Sequence, residues 1–227
     1  LKRDAPLVIG GYFEDEDENW PMPEKNIATR VMTPEETLKI ALYQKQRINN
    51  AWGALIATKI FNGGNQSLRF TEGLYYEDLE IFPKLCLRAE KIAYDPEPLY
   101  FYRQHPDSFI HTFSPRRLDS LTVTNGILDL VKEKMPQLEP AAQDRQMSAA
   151  FNVLVLLEKY KPDDVVPERY KTYGSTYGEI AGYCMSVIRH QRKRSIFDRN
   201  VRLKNKIGAI ASFGGRPLLR LLATLSH

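Results

Sequence analysis

The sequence predicts an α/β domain over residues 1–113 followed by an α-helical region over residues 114–227. Two observations separate them. Before about Thr112, short apolar runs of strand length alternate with stretches of helical periodicity. After Ser114-Pro115 the strand-like runs stop, and apolar residues recur at three- and four-residue spacing. A hydrophobic content of 43% suits a globular chain with a substantial core. The net charge of +4 is mild, but acids gather near the start and bases near the end. Cys86 and Cys184 are the only cysteines, too few for a disulfide framework and consistent with buried thiols in a reducing compartment. No secretory signal is visible and no apolar run is long enough to span a bilayer, which predicts a cytoplasmic chain. A start at Leu1 rather than Met fits a piece of a longer protein.

The run Leu7 to Phe13 is of the sort a buried strand uses. Glu14-Asp15-Glu16-Asp17-Glu18 follows; five consecutive acids repel one another, and the run reads as a solvated loop tip. Ile27 to Met32 is a candidate return strand. Thr33-Pro34-Glu35-Glu36 is a strong helix start, with Thr33 as N-cap, Pro34 at the first position and Glu36 completing a capping box. Leu38, Ala41, Leu42 and Ile48 form its apolar stripe. Trp52 reads either as a large core aromatic or as a residue of a binding pocket. Leu68 and Phe70 alternate as a short strand does, and Gly73 permits a sharp turn.

Glu77 and Asp78 then arrive where a helix begins, since Leu79, Phe82, Leu85 and Cys86 follow at helical spacing. Acids at a helix start cap free N–H groups and suit the dipole, so this chemistry alone favours a structural role. Lys91 to Tyr94 reads as a strand, Asp95-Pro96-Glu97-Pro98 as a rigid loop and Leu99 to Tyr102 as a further strand. Arg103 offers a bidentate fork suited to phosphate, or a partner for a local acid. His105 and His111 lack metal-ligand spacing with other His or Cys residues.

The order and spacing of these pieces resemble a known family. The Trp-containing segment Ala51-Trp52-Gly53-Ala54-Leu55, then Arg69-Phe70-Thr71-Glu72-Gly73 through Glu77-Asp78, then Tyr100-Phe101-Tyr102-Arg103 and Ser108, are similar to the second half of a bacterial family 2 glycosyltransferase. The resemblance is strong over about a quarter of the chain. It implies an incomplete GT-A-like (Rossmann-like) fold for residues 1–113, as the acceptor-side part of the transferase domain. It implies Asp78 as catalytic base, with Glu77 as the alternative or an orienting neighbour, and Trp52 near the acceptor. It places Arg103, Gln104 and Ser108 in a loop that closes near the donor diphosphate. Many relatives carry Asn-Lys where this chain has Gly53-Ala54, so a polar contact made there by them is absent here.

Family 2 enzymes hold a divalent metal, Mn or Mg, through an Asp-x-Asp pattern. Asp15-Glu16-Asp17 matches it literally, but the resemblance places this segment after the family's metal site. The metal is therefore expected in the intact enzyme, and this chain alone is expected to hold neither metal nor donor and to be inactive. The implied partners are a nucleotide-sugar donor and a saccharide or lipid-linked acceptor, in cell-surface polysaccharide or glycolipid synthesis with inversion. The alternative is a non-enzymatic helical interaction or membrane-adaptor module on a decayed transferase scaffold.

Three helices are expected in the second half: Leu118 to Val131, Ala141 to Tyr160, and Glu168 to Arg189. The four-residue spacing of Gly174, Gly178 and Gly182 offers a close helix approach. The tail from Arg189 is basic, and its apolar residues from Ile207 onward make an amphipathic pattern fit for an anionic membrane surface, peripherally on the inner face. No binding module frames the basic residues, so nucleic acid is not an expected partner.

Overall fold

A computed structural model describes residues 4–15, 28–63, 66–103 and 113–219. The chain is α/β, with one small mixed sheet and several helices. It divides into two compact units, residues 1–41 with 45–112, and residues 42–44 with 113–227.

The first unit contains β1 (Leu7–Asp15), β2 (Arg30–Met32), α1 (Pro34–Leu42), β3 (Ala54–Ile56), α2 (Thr58–Asn62), α3 (Glu77–Ala89) and β4 (Ile92–Arg103). The sheet order is β2-β4-β1-β3. Strand β1 pairs parallel with β4 and antiparallel with β3, and β2 pairs antiparallel with β4. Leu7, Val8, Ile9, Ile92 and Ala93 are all buried, so consecutive residues of the central pair are covered on both faces, as central parallel strands require. Strand β1 runs on through Glu14 and Asp15, further than the apolar run alone indicates; Glu16, Asp17 and Glu18 lie outside the described residues.

Strand β4 corrects the reading of two strands split by a rigid loop. It is continuous from Ile92 to Arg103, and the prolines sit in a bulge. Gly10 pairs with Asp95, Gly11 with Pro98 and Tyr12 with Tyr100, so the register shifts twice as the extra residues are absorbed. Gly11 makes this fit: a Cβ there would lie 2.3 Å from the Pro96 carbonyl oxygen. Leu68 and Phe70 do not form a strand. They lie in an irregular segment tied back by the Leu68 N–H, which donates to the Phe61 carbonyl at 2.8 Å.

Helix α1 starts as its residues dictate. Glu36 N–H donates to Thr33 Oγ1 at 3.2 Å, and Thr33 N–H donates back to Glu36 Oε2 at 2.9 Å. Helix α3 buries Leu79, Ile81, Phe82, Leu85 and Cys86.

The second unit is helical: α4 (Asp119–Lys134), α5 (Glu139–Tyr160), α6 (Tyr177–Phe197) and α7 (Leu203–Ala211). Leu121, Met147, Leu154, Tyr170, Ile180, Cys184 and Ile188 belong to its core. The expected helix from Glu168 is replaced by a short 3-10 turn, Glu168–Tyr170, and α6 begins only at Tyr177. A complete capping box at Thr176 and Glu179 fixes that start. Gly174 lies before the helix at φ +153, and a Cβ at Gly182 would meet nothing within 4 Å, so the glycine spacing does not mark a helix crossing. No helix among the described residues is long and apolar enough to cross a membrane.

Candidate functional site

The site is built on the sheet of the first unit. Where β1 and β4 run side by side beyond the bulge, Tyr12 lies opposite Tyr100. Strand alternation puts Tyr100 and Tyr102 on one face, and Phe101 and Arg103 on the other. Phe13 and Phe101, themselves register partners, meet on that second face with ring centroids 6.1 Å apart. Trp52 covers the tyrosine face. Its ring lies 4.5 Å from Tyr100 and 5.0 Å from Tyr102, tilted by 34° and 25°, and 4.9 Å from Tyr12 edge-on at 83°. Such offset and edge-to-face pairs are the favoured aromatic geometries.

Gly53 sets the Trp52 backbone against the sheet. The Gly10 N–H donates to the Gly53 carbonyl at 2.8 Å, and a Cβ on Gly10 would stand 3.0 Å from that oxygen. This chain thus uses Gly53 for backbone contact with β1. Trp52, Tyr12 and Tyr102 remain half-buried and Tyr100 is exposed, so Trp52 is not a core aromatic. Arg47 Nη1 donates to the Tyr12 hydroxyl at 3.5 Å. Burial raises the pKa of the Tyr94 hydroxyl, with the neighbouring Tyr12 and Asp95 adding to the effect.

Beside Trp52 in sequence, Asn50 is buried, and neither its amide nitrogen nor its amide oxygen has a hydrogen-bond partner among the described residues. Buried amide groups are seldom left so, because the cost is of the order of 1–3 kcal/mol. Asn50 thus carries an unmatched donor and an unmatched acceptor two residues before Trp52.

Glu77 and Asp78 open α3. The preceding Tyr76 adopts a left-handed conformation at φ 64, and Gly73 does so at φ +68. Gly73 accepts this freely, whereas Tyr76 carries strain of the kind found where a chain aims a functional group. Asp78 Oδ1 accepts the Leu79 N–H at 2.6 Å, so the helix-start role is real. Glu77 is exposed. Arg69 is held by local bonds, with Nη1 donating to the Leu68 carbonyl at 2.6 Å and Nη2 to Asn62 Oδ1 at 3.3 Å.

The structure brings Trp52 onto the strand that carries Arg103, but alternation assigns Arg103 to the opposite face of that strand. The two therefore do not share one side of the sheet. Gln104 and Ser108 lie outside the described residues. Tyr12, Arg47 and Asn50 escaped the sequence reading. Only the alternating Tyr100 and Tyr102 carried a local signal of a ring-bearing face.

Among the described residues, no three His, Cys, Asp or Glu side chains converge to hold a metal ion. A pocket in the second unit, lined in part by Asp144, Gln191, Ser195 and Asp198, has a volume of about 10 Å³, room for about one water and not for a sugar. No family model, curated protein or solved structure matches this chain.

Proposed function

We propose that this chain is the acceptor-side part of a GT-A-like glycosyltransferase that transfers a sugar from a nucleotide-sugar donor to an acceptor hydroxyl. The observation that carries the reading is the half-exposed cluster of Trp52, Tyr12, Tyr100 and Tyr102, with the buried amide of Asn50, unpaired among the described residues, two positions before Trp52 in the chain. The C–H faces of a pyranose stack on aromatic rings, and its hydroxyls need donors and acceptors in fixed places. Trp52 supplies the platform and Asn50 the polar anchor. The products of such an enzyme would be a cell-surface polysaccharide or glycolipid, and a lipid-linked acceptor would bring the chain to the inner face of a membrane.

In this reading Asp78 is the base. As the acceptor oxygen bonds to the anomeric carbon and the bond to the diphosphate breaks, the Asp78 carboxylate takes the hydroxyl proton. A carboxylate is a weak base at neutral pH, but the proton becomes acidic as attack proceeds, so placement counts for more than basicity. The bond from Leu79 N–H fixes the orientation of the carboxylate. Glu77 is the neighbour that exchanges roles with it if the assignment is reversed. The resemblance assigns Arg103, with Gln104 and Ser108, to the donor diphosphate, where a guanidinium fork suits phosphate oxygens. The resemblance assigns the Mn or Mg of the intact enzyme to other segments, and no step here runs through it.

A helical adaptor is the second reading, and the outward apolar face of α7 favours it. Saturation-transfer NMR with a panel of oligosaccharides separates the two. The transferase reading expects ring-proton contacts with the 227-residue chain that disappear in Trp52→Ala and weaken in Asn50→Leu. Equal signals in wild type and Trp52→Ala, or none from any saccharide, would reject the acceptor site.

A further inference from the structure

Helix α7 is packed with its large apolar side chains outward. Leu203, Ile207 and Ile210 are 73%, 47% and 56% exposed. At 3.6 residues per turn they lie within about 60° of one another around the helix axis. The opposite side is the one that packs inward, and it is small or polar: Asn205 and Ala209 are buried. Asn205 Nδ2 donates to both carboxylate oxygens of Asp144 at 3.1 Å. Gly208 lies so close to the Phe151 ring that a Cβ there would come within 2.7 Å of it. A surface helix normally turns its aliphatic stripe to the core. Here specific inward contacts of Asn205 and Gly208 hold the stripe in solvent.

The charge around this stripe is one-sided. Between Arg189 and Leu219 the chain has nine lysines and arginines and one acid, Asp198. That acid is engaged internally, accepting the Tyr43 hydroxyl at 2.5 Å and the Asn200 N–H at 2.8 Å. Lys204 and Lys206 flank the stripe, and the α6–α7 connection carries the exposed Arg199. Phe213, just past α7, is 56% exposed.

We propose that this face of α7 docks on an anionic lipid surface. Leu203, Ile207 and Ile210 enter the boundary between headgroups and acyl chains, and the flanking lysines meet the phosphates. A second copy of the chain is a poor occupant, because pairing would set two strongly cationic faces together. Nucleic acid would use the cations and leave the aliphatic stripe in water. A lipid surface uses both. This inference rests on α7 alone and not on the transferase reading.

Flotation of the 227-residue chain with phosphatidylcholine vesicles, with and without phosphatidylglycerol, is the test. Binding is expected on the anionic vesicles and should weaken with salt. Ile207→Ser/Ile210→Ser and Lys204→Gln/Lys206→Gln should each lower partitioning by about tenfold or more. The altered residues are surface positions, and circular dichroism should be unchanged. In a separate readout, Ile207→Trp should give tryptophan emission that shifts to the blue with anionic vesicles and not with neutral ones. Three results would overturn the proposal. One is no recovery with anionic vesicles. Another is loss of binding in the lysine pair with full binding in the isoleucine pair, which is the behaviour of a general polyanion site. The third is a fall in oligomeric mass in the isoleucine pair without loss of vesicle binding, which would make the stripe a contact between copies. No sugar or donor enters any arm, so failure here leaves the transferase reading intact.

Discussion

The two units use aromatic residues in opposite ways. In the helical unit, Tyr170 is fully buried and its hydroxyl donates to Asp119 Oδ1 at 2.9 Å, while Tyr177 is buried edge-on against Phe113 at 5.7 Å. In the sheet unit, Trp52 and its three tyrosines pack as closely but keep part of every ring in solvent. The polar neighbours differ likewise. Asn125 Nδ2 donates to the Tyr183 hydroxyl at 2.9 Å and its oxygen accepts Gln146 Nε2 at 2.7 Å, whereas both amide atoms of Asn50 stand without partners among the described residues. Ring stacking in the helical unit holds a core together. In the sheet unit it pre-orders a surface, which costs side-chain entropy before any ligand arrives and so favours binding.

The largest effect that would sharpen this contrast is on rate. Asp78→Asn in the complete enzyme should lower turnover by roughly 10²–10⁴ while donor binding is nearly unchanged, and Glu77→Gln should do less. Steady-state kinetics with both variants decides the roles; full activity in both would leave the pair as helix-start residues. The counterpart in the helical unit is Asp119, which is buried and ion-paired with Arg169 as well as bonded to Tyr170. Asp119→Ala should cost about 2–3 kcal/mol in urea unfolding, because it strands a buried hydroxyl and removes charge-assisted bonds. It should leave saccharide binding alone. A change in saccharide binding in that variant would mean that the division of labour between the units is wrong.

Local signals made some of this legible in advance. Thr33-Pro34 with Glu36 announces α1, the spacing of Leu79, Phe82 and Leu85 announces α3, and the periodicity around Met147 and Leu154 announces α5. The missed features depend on partners distant in sequence. Asp95-Pro96-Glu97-Pro98 breaks a strand by every local rule, and it is absorbed because Gly11 of β1 leaves room for the bulge. Trp52 meets Tyr12 of β1 and Tyr100 and Tyr102 of β4, two segments distant in sequence, and nothing near position 52 names them. The outward stripe of α7 follows from Asn205 and Gly208 reaching Asp144 and Phe151. By contrast, the start of α6 was written locally, as Thr176 and Glu179, and the helical pattern of the preceding residues masked it.

A smaller effect distinguishes two acids of the helical unit. Burial raises the pKa of Asp144 to about 6 from an ordinary 3.8, against the opposing pull of the Asn205 bond and of Arg202 and Arg145, while Asp198 adds to the rise. The folded state thus holds a proton that the unfolded state has released. Its stabilising contribution is full below the ordinary value and is lost as pH rises through about 6. Asp198 behaves in the reverse sense. Burial would raise its pKa, but the Tyr43 hydroxyl and Asn200 outweigh that and hold it below the ordinary value. Urea midpoints taken across this range should therefore fall more steeply with rising pH in wild type than in Asp144→Asn. Parallel pH profiles would show that Asp144 is not protonated in the folded protein.

The smallest effect compares the same device in each unit. Thr33 with Glu36 opens α1, and Thr176 with Glu179 opens α6. Thr176→Ala should cost about 1 kcal/mol, as N-cap losses usually do. The α1 box should in addition respond to acid. The bonds from the Thr33 backbone and side chain hold the Glu36 carboxyl below its ordinary pKa of 4.5. Such a depressed acid stabilises the fold at pH values above the ordinary one, and the gain fades as pH falls through the folded value. Amide exchange across the first turn of α1 should therefore be protected at neutral pH, less so in Thr33→Ala, and the two should converge in acid. If the variant and wild type differ by the same factor at both pH values, the Glu36 carboxylate does not close the box in solution, and α1 is held by Thr33 and by the buried Leu38 and Ala41 alone.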